Sequence, residues 1–264
     1  MRVTIIGAGA FGSALGEVLM NNDHTTVFYD PIKYPNIALE TALEGAEVIL
    51  MVAPSNVVPE MLPKLPHHLP LVLASKGFLS LELFKEFPNF SVISGGAFAS
   101  DLMSKHLVTL TGTSKLTYDL FNNNSLTVEV VNDTKGVLIC GSLKNVYAIG
   151  AGLQNLDRHT DEFNVYAGHV LSELYKILQA NGCEESTANK SCGVMDLIIT
   201  STPASRNYSF GRELAGTTGK VDTSTLTLEG VTAIRNIANT SDFVKPDDTP
   251  ILDQIMIGVS GRLA

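Results

Sequence analysis

The chain has 264 residues, 45% hydrophobic and 17% charged, which excludes a disordered chain and allows one large domain or two modest ones. A formal net charge of −9 argues against a nucleic-acid partner, and any anionic ligand needs donors placed locally. Cys140, Cys183 and Cys192 are widely separated with no metal-binding spacing, so reduced thiols, a cytoplasmic protein and no metal site are expected.

Met1 leads directly into the short apolar strand pattern Val3-Thr4-Ile5-Ile6, so no signal peptide is expected. No apolar run reaches bilayer length, so no membrane span is expected either. Gly7-Ala8-Gly9-Ala10-Phe11-Gly12 follows the strand, then a helix pattern from Ser13 to Met20. In this G-x-G-x-x-G arrangement Gly7 suits a tight turn and Gly9 a close approach to a pyrophosphate. Gly12 suits close helix–strand packing, and the helix N-terminus offers N–H groups to the phosphates. The second strand, Thr25 to Tyr29, ends at Asp30, 23 residues beyond Gly7. A carboxylate there accepts hydrogen bonds from ribose hydroxyls and repels a 2′-phosphate, which favours NAD, with NADP possible. The alternative is that Asp30-Pro31 starts a turn.

A short helix pattern spans Leu39 to Ala46. Strand patterns recur at Glu47 to Ala53, Leu69 to Ala74, Ser91 to Ser94, Leu107 to Leu110 and Leu126 to Val131, with helical pieces between several of them. This alternation predicts an α/β fold with a doubly wound, mostly parallel Rossmann-type sheet over residues 1–131. Ligands of such sheets lie beyond the carboxyl ends of the strands, where Lys76 and the stretch from Ser94 through Gly95 to Ala99 fall. Lys76 is either a ligand-facing cation or a turn lysine.

From about Asn132 helix patterns take over, predicting an all-helical second domain over 132–264 and a substrate cleft between the domains. Gly136 to Gly152 is apolar on nearly every side and carries Lys144 and Asn145 at its middle. Lys144 reads as a proton donor at the floor of a cleft, or as a lysine whose stem lies on apolar surface while its head reaches water. A second helix runs from Asp161 to Ala180, with Phe163, Tyr166, Val170, Leu171, Leu174, Ile177 and Leu178 on one face. Asp196 and Thr200 share a helix face, and Asp196 is a plausible partner for a buried ammonium. Ser205-Arg206-Asn207 at a turn supplies a hydroxyl, a guanidinium and an amide that suit a phosphate, or else a helix cap and a surface arginine.

Together these segments resemble the soluble NAD(P)-dependent glycerol-3-phosphate dehydrogenases. The matching pieces, in the family's order, are Gly7 to Ala14, Ser75-Lys76-Gly77, Ser94 to Ala99, Leu143-Lys144-Asn145-Val146, Asp196-Leu197 with Thr200, Ser205-Arg206-Asn207 with Phe210-Gly211, and Leu228-Glu229-Gly230-Val231. The resemblance implies interconversion of dihydroxyacetone phosphate and sn-glycerol 3-phosphate by hydride transfer, with Lys144 as general acid–base. Lys76 and Asp196 would hold Lys144 and the substrate oxygens, with Gly95, Asn145, Thr200 and Ser205 assisting. Arg206 and Asn207 would bind the phosphate. Ala10, Phe11, Ala99, Glu229, Lys76 and Arg206 would line the cofactor site beside Gly7, Gly9, Gly12 and Asp30. A homodimer is expected from the same resemblance. Compared with the family, Asp30 to Glu47 is short, the carboxyl end looks truncated, and Ala97 stands where a serine is usual. Two alternatives stay open: a ketoacid or hydroxyacid reductase of the same architecture, and a non-catalytic dinucleotide-sensing protein.

Overall fold

The computed structural model describes residues 1–223, 228–240 and 243–263. Its single sheet contains β1 (Arg2–Ile6), β2 (Thr25–Tyr29), β3 (Val48–Met51), β4 (Leu71–Leu73), β5 (Phe90–Ser94), β6 (Val108–Gly112) and β7 (Leu126–Val130). The order is β2-β1-β3-β4-β5-β6-β7, parallel throughout except for the β5–β6 pair. Ile6 lies opposite both Tyr29 and Met51, so the strand order reverses at β1, where open α/β sheets place their ligands. β3 reads Val-Ile-Leu-Met with every residue buried, as a central parallel strand covered on both faces requires.

The helices are α1 (Ala10–Asn21), α2 (Leu39–Leu43), α3 (Val58–Met61), α4 (Ala99–Met103), α5 (Lys115–Phe121), α6 (Thr134–Leu153), α7 (Asp161–Ala180), α8 (Asp196–Thr200), α9 (Arg206–Gly216), α10 (Glu229–Asn239) and α11 (Pro250–Ser260). The chain forms two compact units. One comprises Met1–Lys76 and Leu81–Thr134; the other comprises Gly77–Ser80 and the chain from Lys135 onwards. The core of the first unit joins Val3, Ile5, Val48, Leu50 and Val72 of the sheet to Ala14, Leu15, Val18 and Leu19 of α1. Gly77–Ser80 is tied into the second unit by specific bonds. Ser142 Oγ donates to the Gly77 carbonyl at 2.7 Å, Asn236 Nδ2 donates to the Phe78 carbonyl at 2.9 Å, and the Phe78 ring meets Phe243 edge-on.

The second unit is built around α6, whose residues are buried from Gly136 to Gly152 except Gly141. Contrary to the sequence expectation, this helix is long and apolar enough, by length and composition, to cross a bilayer. Its most apolar window is 89% buried inside the protein, as in a core helix. α7 begins and ends where its pattern predicts and buries Phe163, Tyr166, Val170, Leu174, Ile177 and Leu178. Glu173 lies on the same face, 3% exposed, because its carboxylate is fully employed. It accepts hydrogen bonds from the Tyr147 hydroxyl (3.0 Å) and from the Ile251 (2.6 Å) and Leu252 (3.1 Å) amides in the first turn of α11. A buried carboxylate thus completes the start of a helix that has no side-chain cap of its own. Burial, and then the Glu173 charge, push the Tyr147 hydroxyl well above the ordinary tyrosine range.

Asp30 performs a related task in the first unit. Its Oδ2 accepts from the Ala8 amide at 2.8 Å, and its Oδ1 accepts from the Ile32 and Lys33 amides at 3.0 Å each. The carboxylate therefore joins the turn after β1 to the turn after β2. Burial pushes this carboxyl up, but the amides of Lys33, Ala8 and Ile32, aided by the Lys33 charge, outweigh it and hold the group below the ordinary value of 3.8.

Glu173→Ala leaves a buried hydroxyl and two buried amides without an acceptor. It is expected to lower unfolding stability by about 3 kcal/mol, and Glu173→Gln by roughly half that, measured by urea denaturation. For Asp30 the folded state prefers the ionised form. Its stabilisation is present above the unfolded value of 3.8 and is lost as the pH falls through the lower folded value. Asp30→Asn is therefore expected to be less stable than the parent at neutral pH, with the difference shrinking in denaturation curves as the pH falls below 3.8.

Candidate active site

In the first unit the residues singled out by sequence gather at the carboxyl edge of the parallel strands. Gly7 directly follows β1, Asp30 directly follows β2, Lys76 comes just after β4 and Gly95 directly follows β5. Gly7 has φ +103°, and a Cβ there would lie 2.9 Å from the Ala53 amide nitrogen. A Cβ on Gly12 would lie 2.1 Å from the Gly7 carbonyl oxygen. Both positions therefore require glycine, and the turn they form delivers the chain into α1 three residues earlier than the pattern suggested. Gly9 is the N-cap of α1; it makes no side-chain cap hydrogen bond, and the first turn carries no acidic residue. Gly9 and Ala10 are exposed, and a Cβ on Gly9 would touch nothing within 4 Å. Helix amides left open beneath a glycine turn fit the pyrophosphate of a dinucleotide.

Lys76 Nζ lies 4.9 Å from the centre of the Phe11 ring, which places both beside that turn. Ala99 opens α4 and Gly95 is buried with φ +144°. Lys33, which the sequence reading passed over, donates from Nζ to the Ala8 carbonyl at 3.0 Å and to Ser13 Oγ at 3.4 Å. Its signal in the sequence is its position three residues beyond Asp30, within one turn of chain.

The second unit brings Lys144, Asn145, Asp196, Thr200 and Asn207 together from three stretches of sequence. Lys144 on α6 forms a buried ion pair with Asp196 Oδ2, the two residues being 3% and 2% exposed. Thr200 Oγ1 donates to the other carboxylate oxygen at 3.1 Å, one turn along α8. Among the described residues, the ionic partner of Lys144 is this carboxylate, the one the sequence analysis names for it. Asp196 reaches that position through an irregular turn at Ser191–Met195, in which Gly193 has non-helical angles (φ −99°, ψ −113°). A Cβ on Gly193 would lie 2.1 Å from the Ala188 carbonyl oxygen, so only glycine lets the chain pass there.

A second chain of hydrogen bonds runs beside the ion pair. Asn207 Nδ2 donates to Asn145 Oδ1 at 3.0 Å, and Asn207 Oδ1 accepts from the Gly230 amide at 3.0 Å. One amide side chain thereby ties α9 to α6 and α10. Glu229, 9% exposed, opens α10 beside Gly230. Ser205 is the N-cap of α9 and accepts from the Tyr208 amide at 3.5 Å. Arg206, the next residue, is exposed, and among the described residues no hydrogen bond or ion pair engages its guanidinium.

Comparison with known proteins agrees with this arrangement. The family model described as the NAD-dependent glycerol-3-phosphate dehydrogenase C-terminus matches residues 133–260. A glycerol-3-phosphate dehydrogenase (NAD(P)+) of Streptococcus suis is 30% identical, the match covering 80% of this chain and 77% of the relative. The crystal structure of glycerol-3-phosphate dehydrogenase from Coxiella burnetii superposes with a TM-score of 0.82 at 22% identity, covering 99% of this chain and 95% of that one. A ketopantoate reductase from Ralstonia eutropha shares the fold more distantly, with a TM-score of 0.57 at 16% identity over 99% of both chains. Identity at the level of the Streptococcus relative, over more than three quarters of both chains, makes this chain a member of the glycerol-3-phosphate dehydrogenase family.

Proposed function

We propose that this chain interconverts dihydroxyacetone phosphate and sn-glycerol 3-phosphate with NAD(P) as redox partner. The observation that carries the reading is the buried Lys144–Asp196 pair, a cation held deep in an apolar helix, in a chain whose family is defined by this oxidation. The bound nicotinamide supplies or accepts the hydride. The open amides at the start of α1, the glycine turn and the Phe11–Lys76 pair are the residues that would hold the dinucleotide.

In the reducing direction Lys144 Nζ donates a proton to the substrate's carbonyl oxygen as that oxygen gains negative charge. In the oxidising direction the neutral amine takes the hydroxyl proton. Asp196 fixes where the ammonium points, and Thr200 fixes Asp196 by holding its second oxygen. Arg206 takes the substrate phosphate through a bidentate contact. Asn207 positions rather than binds in this reading, because its amide already joins Asn145 to Gly230. Asp30 reads the ribose with lone pairs left over from its three backbone bonds, whereas the neighbouring Lys33 ammonium favours a 2′-phosphate. Both cofactors are therefore assayed.

A ketoacid reductase built on the shared fold would use Arg206 to hold a carboxylate instead. A purely dinucleotide-sensing protein would have no use for an intact lysine–aspartate–threonine set.

The deciding measurement is loss of reduced-nicotinamide absorbance on adding dihydroxyacetone phosphate, with NADH and NADPH in parallel and a ketoacid panel alongside. Turnover confined to the ketoacids overturns the substrate assignment, and cofactor binding without any turnover overturns catalysis. Lys144→Arg retains the ion pair but replaces the proton carrier with a guanidinium that does not deprotonate. It is expected to lower kcat by about 10²–10⁴-fold with little change in cofactor affinity. Lys144→Met is expected to lose the same activity and about 3 kcal/mol of stability besides, because it leaves Asp196 buried without its cation.

A further inference from the structure

A second feature of the helical unit has no part in the chemistry above. A cavity of about 430 Å³ lies where the segment after α6 meets the segment after α8 and one face of α9. Arg158 and His159 reach it from the first segment, Ser201 from the second, and Tyr208 and Arg212 from α9. Tyr208 and Arg212 are four apart and share a helix face. Arg206 stands about 160° around the helix from Tyr208, so the cavity and the exposed guanidinium of Arg206 lie on different sides of α9.

Its lining carries more donors than the protein uses. Arg158 and Arg212 are both exposed, and neither pairs with a carboxylate among the described residues. Arg158 Nε donates to His159 Nε2 at 3.3 Å, which leaves the rest of its fork open. Asp157 also lines the cavity, but its Oδ1 already accepts from the His159 amide at 2.9 Å. The Tyr208 hydroxyl is bonded to the Leu156 carbonyl at 2.6 Å. Ser201 is 1% exposed, and among the described residues its buried hydroxyl has no hydrogen-bond partner. A buried hydroxyl without a partner is costly, and its retention in a cavity wall beside two unpaired guanidiniums points to an acceptor that arrives with a ligand.

We propose that this cavity is a second anion site, separate from Arg206, that takes the phosphoryl group of a small phosphate monoester. Two planar guanidinium forks and a hydroxyl match the oxygens of a dianionic phosphoryl group. The volume leaves room for an organic portion beyond the phosphate. In a chain of net charge −9, two arginines converging on one cavity supply the local donors that an anion needs.

The test is calorimetric titration of the full chain at fixed ionic strength, without cofactor, with inorganic phosphate and ethyl phosphate as probes and chloride as control. Because binding is read without turnover, the result is independent of the proposed reaction. Arg206→Gln is expected to retain a phosphate site. In that background, Arg158→Gln with Arg212→Gln is expected to weaken the remaining site at least tenfold. If Arg206→Gln abolishes all binding, or if the two further substitutions leave the affinity unchanged, the proposal is overturned. Equal response to chloride overturns it too. Binding of ethyl phosphate at least as tight as inorganic phosphate supports a monoester; binding of inorganic phosphate alone rejects it. Ser201→Ala gives an independent readout. It is expected to raise the melting temperature in anion-free buffer and to shrink the rise that phosphate produces. A lowered melting temperature with an undiminished phosphate response would show that the hydroxyl serves the fold alone.

Discussion

The arrangement of the second unit follows from the burial of one ion pair. Lys144 and Asp196 are both almost inaccessible, so each has lost most of its hydration and gains the other's charge in its place. Such a pair stands only where the geometry leaves no slack. α6 supplies rigidity on the lysine side, its flanking residues being packed along nearly its whole length. On the aspartate side the irregular turn at Gly193 sets the first residue of α8, and Thr200 closes the remaining carboxylate oxygen. An apolar pair would fill this space at lower desolvation cost. Retaining a charged one makes sense where a proton has to be handled in a dry environment, where each electrostatic contact is stronger than in water.

The bond chain from Asn145 through Asn207 to the Gly230 amide acts on the same elements. Asn145 is adjacent to Lys144 and Asn207 is adjacent to Arg206, so one bonded pair of amides fixes the relative placement of the two cations that the proposed reaction uses. The close approach of α10 depends on Gly230, where a Cβ would lie 2.7 Å from the Asn145 carbonyl oxygen. Asp196, Arg206, Asn207 and Glu229 thus stand at helix starts, while Lys144 and Asn145 lie in the interior of α6. The first unit places its recognition groups differently, on turns beyond strand ends, where a ligand backbone can be approached without side chains intervening.

Much of this was legible in the sequence because it rests on local signals. The glycine turn, the strand run Val48–Met51 and the limits of α7 follow from spacing and periodicity. The residues that the proposed reaction uses, Lys144, Asp196 and Arg206, stand out by their types and surroundings, and the lysine–aspartate contact is the one expected from them. What stayed hidden depends on long-range partners. Glu173 looks like a misplaced charge on an apolar face until α11, nearly eighty residues further on, brings two amides to it. Gly77–Ser80 has no compositional mark, yet bonds to α6 and α10 assign it to the second unit. Asn207 suited a phosphate by type, but its acceptor and one donor are taken by Gly230 and Asn145, a contest periodicity cannot weigh.

Asp30, Glu173 and Asp196 are sheltered from water to different degrees, and what surrounds each decides what it can do. Asp30 is met by three backbone amides, which are far too weakly acidic to give up a proton to a carboxylate, and its effect is to hold two turns together. Glu173 is met by two amides and by the Tyr147 hydroxyl, which burial and then the carboxylate itself drive away from ionisation. Asp196 is met by an ammonium and a threonine hydroxyl. Of these partners the ammonium is an acid of the kind that enzymes use for proton transfer, whereas the Tyr147 hydroxyl is held well above the ordinary tyrosine range. The difference lies in the donors: the same physical problem, a carboxylate removed from water, is solved twice with donors that cannot act and once with a donor that can. That contrast is the physical ground on which the proposed reaction assigns its proton to the Lys144–Asp196 pair.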